Sequence, residues 1–165
     1  MASAIAVTAV DLGDPEQAAT WLDLLDLYAR DPMGGGNGLS PYARENLVAE
    51  LRHLPNFHGA LARLDGRAVG LINCFAGFST FAARPLLNIH DIVVHGDRRG
   101  TGVGQALLAW AEGRARELGC CKLTLEVLAN NGQARKAYER AGFAPYVLDP
   151  AAGQALFLQK LLPEA

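Results

Sequence analysis

Residues 98–104 read Arg98-Arg99-Gly100-Thr101-Gly102-Val103-Gly104. They follow an apolar, strand-like run from Leu86 to Val94. They open a stretch of helical period from Gly102 to Leu118, with Val103, Ala106, Leu107, Trp110 and Ala111 on one stripe. Glycines at a strand-to-helix junction let backbone N–H groups approach a ligand closely, and the helix N-terminus adds about half a positive charge. Arg98 and Arg99 add charge of the same sign. The stretch reads as an anion site suited to a pyrophosphate; a glycine-rich turn without a ligand is the bland alternative.

Spacing decides which nucleotide-type loop this is. A dinucleotide fingerprint, GxGxxG, needs a third glycine at position 105 or 107, where Gln105 and Leu107 stand. A P-loop needs a lysine that is absent here. The pattern that fits is [Arg/Gln]-x-x-Gly-x-[Gly/Ala], filled by Arg99, Gly102 and Gly104.

Outward from the loop, element boundaries follow from local chemistry. Ile5 to Val10 reads as a strand. Asp14-Pro15-Glu16-Gln17 reads as a helix start, with Asp14 as N-cap and Pro15 at the first helical position. Pro32 to Gly38, with four glycines, is a loop; Ser40-Pro41 opens a second helix that Pro55 closes. Phe57 to Leu64 and Arg67 to Phe75 flank Asp65-Gly66, a hairpin turn. After the long helix, Gly119 falls at a left-handed C-cap, and Lys122 to Leu128 alternates as a strand. Asn130 or Asn131 caps a short helix that Gly142 ends, and Ala155 to Leu162 is a closing strand. The predicted order is βααβββαβαβ, with one further short strand conceivable at Tyr146 to Leu148. This is a single α/β domain over residues 1–165 with a mixed sheet.

The chain has 165 residues, 50% of them hydrophobic and 19% charged, which excludes a disordered chain. No apolar run approaches the ~20 residues of a membrane span. Met1 to Val10 lacks the basic n-region of a secretory signal. With 15 basic and 17 acidic residues, neither nucleic acid nor an anionic membrane is expected as a partner. Cys74, Cys120 and Cys121 form no metal spacing, so no metal is expected, and the usage suits a reducing, cytoplasmic setting.

The loop resembles the coenzyme A pyrophosphate loop of the GCN5-related N-acetyltransferase (GNAT) superfamily. Asn88-Ile89-His90-Asp91-Ile92-Val93-Val94 is similar to that family's splayed fourth strand, and Asn131-x-x-Ala134-x-x-x-Tyr138-x-x-x-Gly142-Phe143 to its second motif. The likeness runs from about residue 86 to 143, with acceptor-side helices at about 14–55. It implies a GNAT-like fold and acetyl-CoA as co-substrate. It also implies a small-molecule primary amine as acceptor, attacked directly in a ternary complex. A protein lysine or N-terminus, or a non-catalytic acyl-CoA-binding module, are the alternatives. The cofactor would lie against Ile92, Val93, Val94, Arg98, Arg99, Gly100, Thr101, Gly102, Val103, Gly104, Asn131, Ala134 and Tyr138. Relatives form homodimers, so a homodimer is possible by analogy.

An acetyl transfer needs a neutral amine, a donor for the thioester oxyanion and a proton for the departing thiolate. By the resemblance Tyr138 supplies the last; otherwise it is a half-buried packing residue. Strict alternation puts Asn88, His90, Ile92 and Val94 on one face of the strand and Leu87, Ile89, Asp91 and Val93 on the other. His90 stands where many relatives carry a glutamate and is the first candidate base, with Asp91 and Glu126 behind it. A backbone N–H near Ile92 or Val94 would serve the oxyanion. By the resemblance Asp31, Phe78 and Asp91 are the acceptor-side candidates, with Asp26 a further carboxylate; residues 75–84 are similar to the corresponding stretch in diamine-type members, and core packing is the equal alternative for their aromatics.

Overall fold

A computed structural model describes residues 4–163. The elements are β1 (Ile5–Ala9), α1 (Pro15–Arg30), α2 (Pro41–Leu51), β2 (Phe57–Leu64), β3 (Arg67–Ser79), β4 (Arg84–Val94), α3 (Val103–Glu117), β5 (Leu123–Leu125) and α4 (Gly132–Arg140). The strands lie in chain order in one sheet, antiparallel except for the parallel pair β4–β5.

The local chemistry is visible at each boundary. Asp14 Oδ1 accepts from Glu16 N at 2.9 Å and Gln17 N at 3.4 Å, with Pro15 beginning α1. Asp65 (φ 50°) and Gly66 (φ 83°) make the β2–β3 turn. The loop after α1 folds back on that helix. Gly36 N and Gly38 N both donate to Ala29 O, and Leu39 N donates to the buried Asp26 carboxylate. A Cβ on Gly34 would sit 2.1 Å from Tyr28 O, so only glycine allows this close return.

Two cores flank the sheet. One side packs Val69, Ile72, Leu87, Ile89, Leu107 and Ala111 under α3. The other packs Trp21, Leu25, Leu51, Leu61, Leu71 and Val93 under α1 and α2.

Two expectations require correction. Ala155 to Leu162 lies outside every strand among the described residues, and so does Tyr146 to Leu148. The run has the composition of a strand but no strand partner among the described residues, and composition cannot supply one. Strict alternation along β4 also fails. Asn73 pairs with Asp91 but Cys74 pairs with Ile89, so His90 is an extra, bulged residue. As a result Leu87, Ile89, Ile92 and Val94 all pack on the α3 side, while Val93 packs on the α1 side.

Candidate active site

The glycine loop delivers its backbone to one place. Gly100 (φ 77°) and Gly102 (φ 92°) adopt the left-handed conformation that glycine tolerates. Gly102 is the N-cap of α3 and offers no side chain, whereas Asp14, Ser40 and Asn131 each cap the start of another α-helix. The first-turn amides of α3 are therefore left for a ligand. Thr101 Oγ1 donates to Arg98 O at 2.5 Å and closes the loop. Arg98 Nε is buried without a hydrogen-bond partner, 3.7 Å from Asp97 Oδ2. These features fit the diphosphate of an acyl-CoA.

Beside the loop the sheet opens. The parallel ladder of β4 and β5 ends at Ile89↔Leu125, while β4 continues to Val94 against β3. The β5-facing backbone of residues 90–94 thus has no ladder partner, which is where an extended ligand arm and an oxyanion could find N–H groups. Ile92 and Val94 pack under α3, Val93 under α1.

The bulge sends Asp91 toward the α1 side. Asn73 Nδ2 donates to Asp91 Oδ2 at 3.0 Å, and Trp21 Nε1 donates to Asn73 Oδ1 at 2.8 Å. Trp21 and Asn73 are both buried, so the carboxylate is aimed by a fixed chain rooted in the core. His90 is exposed and meets Phe75 edge-on, with ring centroids 5.3 Å apart.

On the other side of the opening, Tyr138 rides on α4. Asn131 Oδ1 accepts from Ala134 N at 3.2 Å and starts the helix. Gln105 Nε2 donates to Ala137 O at 3.0 Å, bracing α4 against the first turn of α3. Burial pushes the Tyr138 hydroxyl up to about 12, with Tyr28 adding to the shift, so it is a neutral donor at physiological pH.

Tyr28, near the C-terminal end of α1, faces the same space. Its hydroxyl is raised first by burial, then by the carboxylates of Asp91 and Asp31. Asp31 accepts from Met33 N at 2.9 Å and Arg99 Nη2 at 3.0 Å, and these contacts, Met33 N first, hold its carboxyl below the usual range. Asp31 and Asp91 thus both lie close enough to act on Tyr28, and Tyr28 on Tyr138, while Asp31 is joined to the glycine loop through Arg99.

Other sequence candidates lie elsewhere. Phe78 is exposed and pairs with Pro85 across the hairpin, about 30 Å of strand from Val94. Asp26 serves as a clamp for Leu39 N, Arg30 and Arg44. Glu126 is exposed beyond the end of β5. Tyr28, Asn73 and Gln105 were not singled out by sequence. Tyr28 reads as one more member of the apolar stripe of α1, and the only hint is its place three residues before Asp31. Among the described residues, no three His, Cys, Asp or Glu side chains gather as metal ligands.

Residues 21–143 match the Acetyltransferase (GNAT) family. The chain is 35% identical over 100 residues to the aminoalkylphosphonate N-acetyltransferase of Salmonella typhimurium, covering 61% of this chain and 64% of that protein. It is 42% identical over 87 residues to the streptothricin acetyltransferase of Streptomyces lavendulae, covering 53% and 44%. The matches span less than two thirds of these curated relatives. An aminoglycoside acetyltransferase from an uncultured soil metagenomic sample, solved with trehalose, superposes with a TM-score of 0.75 at 18% identity, covering 96% of this chain and 97% of that one. That likeness concerns the fold, and the family match covers most of this sequence: the chain belongs to the acetyltransferase (GNAT) family.

Proposed function

We propose that the chain moves an acetyl group from acetyl-CoA to the primary amine of a small molecule, by direct attack in a ternary complex. Acetyl-CoA supplies the activated thioester. The α3 amides with Arg98 and Arg99 hold its diphosphate, and the open backbone of β4 lines its arm and presents an N–H at Ile92 or Val94. The hydroxyl of Tyr138 donates to the departing sulfur. Asp91 receives the ammonium and takes its proton directly or through water, with His90 beside it at the rim.

The observation that carries this reading is the Asp91 carboxylate, aimed from the core by Asn73 where β4 runs on past the end of β5, with Asp31 tied to Arg99 of the glycine loop. Two carboxylates suit a cationic head. The two relatives are named for small molecules, an aminoalkylphosphonate and streptothricin, which agrees with a small acceptor. The setting is cytoplasmic and the working form a homodimer.

The test is a thiol-release screen with acetyl-CoA across diamines, aminoalkylphosphonates, aminoglycosides, amino acids and lysine peptides. Turnover of a small amine well above that of every peptide is the expected result. Faster acetylation of a peptide would replace the acceptor assignment, and no thiol release with any amine would replace the enzyme assignment.

A further inference from the structure

We infer that Trp21 is a positioning residue for both candidate proton acceptors. Its indole N–H decides, through Asn73, which oxygen of Asp91 works, and its ring anchors His90 through Phe57 and Phe75. The inference rests on the reading of Asp91 as the group that takes the amine's proton.

Trp21 on α1 is wholly buried, and Asn73 on β3 is 2% exposed. A buried primary amide is tolerated when its polar atoms are paired. The chemistry of the partners fixes which way round it sits. An indole N–H can only donate, so the atom 2.8 Å from Trp21 Nε1 has to be the amide oxygen. The amide nitrogen then faces Asp91, and Nδ2 donates to Oδ2 at 3.0 Å. Turned over, the amide would set nitrogen against the indole N–H and oxygen against the carboxylate, two repulsive contacts in place of two bonds. The indole therefore holds Asn73 in the one sense that binds a carboxylate.

That sense divides the work between the oxygens of Asp91. Oδ2 is held by a group that can only donate. Among the described residues, Oδ1 has no hydrogen-bond partner. The proton of the amine therefore goes to Oδ1, directly or through water. The N–H bond breaks, its electron pair stays on nitrogen to attack the thioester carbonyl, and the new O–H bond forms at the unanchored oxygen. Tying one oxygen fixes the direction in which the other is presented.

The second arm is aromatic. Trp21 meets Phe57 edge-on, with ring centroids 6.2 Å apart at 81°. Phe57 tilts against Phe75 at 5.5 Å and 54°, and Phe75 meets His90 edge-on at 5.3 Å and 80°. Each is the geometry of an attractive ring pair. Burial falls along the series, from the enclosed indole to the exposed imidazole. His90 and Asp91 are neighbours in the bulge of β4, so both are registered against one buried side chain.

Trp21→Phe separates the arms, because it removes the N–H and keeps a ring. Phe75→Leu cuts the aromatic arm and leaves the amide bonds. Each is combined with Asp91→Asn and with His90→Ala, and thiol release from acetyl-CoA is followed with the best amine of the screen. At about pH 9.5 an amine of pKa about 10.4 has a neutral fraction of its own, so variants lacking a base still turn over. Trp21→Phe is expected to lower kcat about tenfold, the scale of coupling within one hydrogen-bonded network. CoA affinity should stay as it was. The loss should vanish in the Asp91→Asn background and persist with His90→Ala, and Phe75→Leu should show the reverse pattern. Losses equal in every background, for either variant, would confine these residues to folding and overturn the inference alone. A rate indifferent to Asp91→Asn would overturn the reading of Asp91 as base, and the inference with it. Where Trp21→Phe does not fold by circular dichroism, Asn73→Leu enters the same cycles, since it keeps a branched side chain and removes both bonds. The ¹H–¹⁵N spectrum of the free chain tests the amide sense without any turnover. The Asn73 side-chain signals should move in Asp91→Asn and broaden in Trp21→Phe; signals that Trp21→Phe leaves in place would overturn the inference.

Discussion

Arg99 Nη2 stands 3.0 Å from Asp31 Oδ2, so the glycine loop before α3 is tied to the end of α1. In the proposed reaction the two groups serve opposite substrates, since the guanidinium suits a diphosphate and the carboxylate an ammonium. In the free chain each occupies the other.

Asp31→Asn therefore should act in opposite directions on the two ligands. Freed of its partner, Arg99 should bind CoA about two- to fivefold more tightly, the scale of an exposed ion pair. The KM for the amine should rise roughly tenfold with loss of a charge-assisted bond. Calorimetry with CoA and steady-state kinetics with the amine read the two effects separately; weaker binding of both would disprove the competition.

If Tyr138 is the proposed thiolate donor, Tyr138→Phe should lower kcat by roughly 10²–10⁴-fold with little change in CoA affinity, because only the transition state would call on the hydroxyl. Its raised pKa also makes a stability prediction. The folded state holds the phenolic proton more tightly than the unfolded chain, so this contribution is complete below about pH 10 and is lost as pH rises toward about 12. Denaturant titrations from pH 9 to 12 should show a shallower decline for the Phe variant. A parallel decline would refute the linkage.

Asn73→Ala should strip Trp21 Nε1 and Asp91 of their common partner. The buried donor left unsatisfied costs about 1–3 kcal/mol, which urea denaturation can measure. kcat should fall too. Loss of stability with an unchanged rate would confine the chain of bonds to folding.

Asp91→Asn should reduce kcat/KM more than His90→Ala, since the carboxylate is anchored by the core and the imidazole stands exposed at the bulge. Deficits caused by a missing base should shrink as pH approaches the amine's own pKa of about 10.4. A ratio to the parent enzyme that stays flat with pH would remove the base role from the residue concerned.

Gly102→Ala should weaken CoA binding and destabilise the fold. A Cβ there would meet only Ile5 Cδ1, at 3.6 Å, so steric overlap is not the reason. The backbone at φ 92° is, at a cost of about 1–2 kcal/mol for a residue with a side chain. A thermal melt with and without CoA checks both effects.

The glycine loop, the helix starts at Asp14, Ser40 and Asn131, and the turn at Asp65-Gly66 were legible in sequence because each depends on one or two residues of special chemistry. The neighbours of Asp91 were not. One inserted residue, His90, reverses the parity of everything after it, and a bulge is fixed by pairing with β3, which no local pattern along β4 reports. Tyr28 stayed hidden because a tyrosine on an apolar stripe looks the same whether its hydroxyl ends in packing or in a cleft. The run at 155–162 has the composition of a strand but lies in none among the described residues, because a strand needs a partner that its own residues do not specify.

The contact between Gln105 and Ala137 gives α3 a second duty as a measuring rod. In the proposed site the same helix turn would meet the charged end of the donor while bracing the helix whose Tyr138 would meet the reacting end, so their separation is set by rigid structure. A donor with the right phosphates but an arm of another length would dock and still leave its sulfur out of register. On that reading, discrimination among thioester carriers would lie in the span between two helices, ahead of any contact with the acyl group itself.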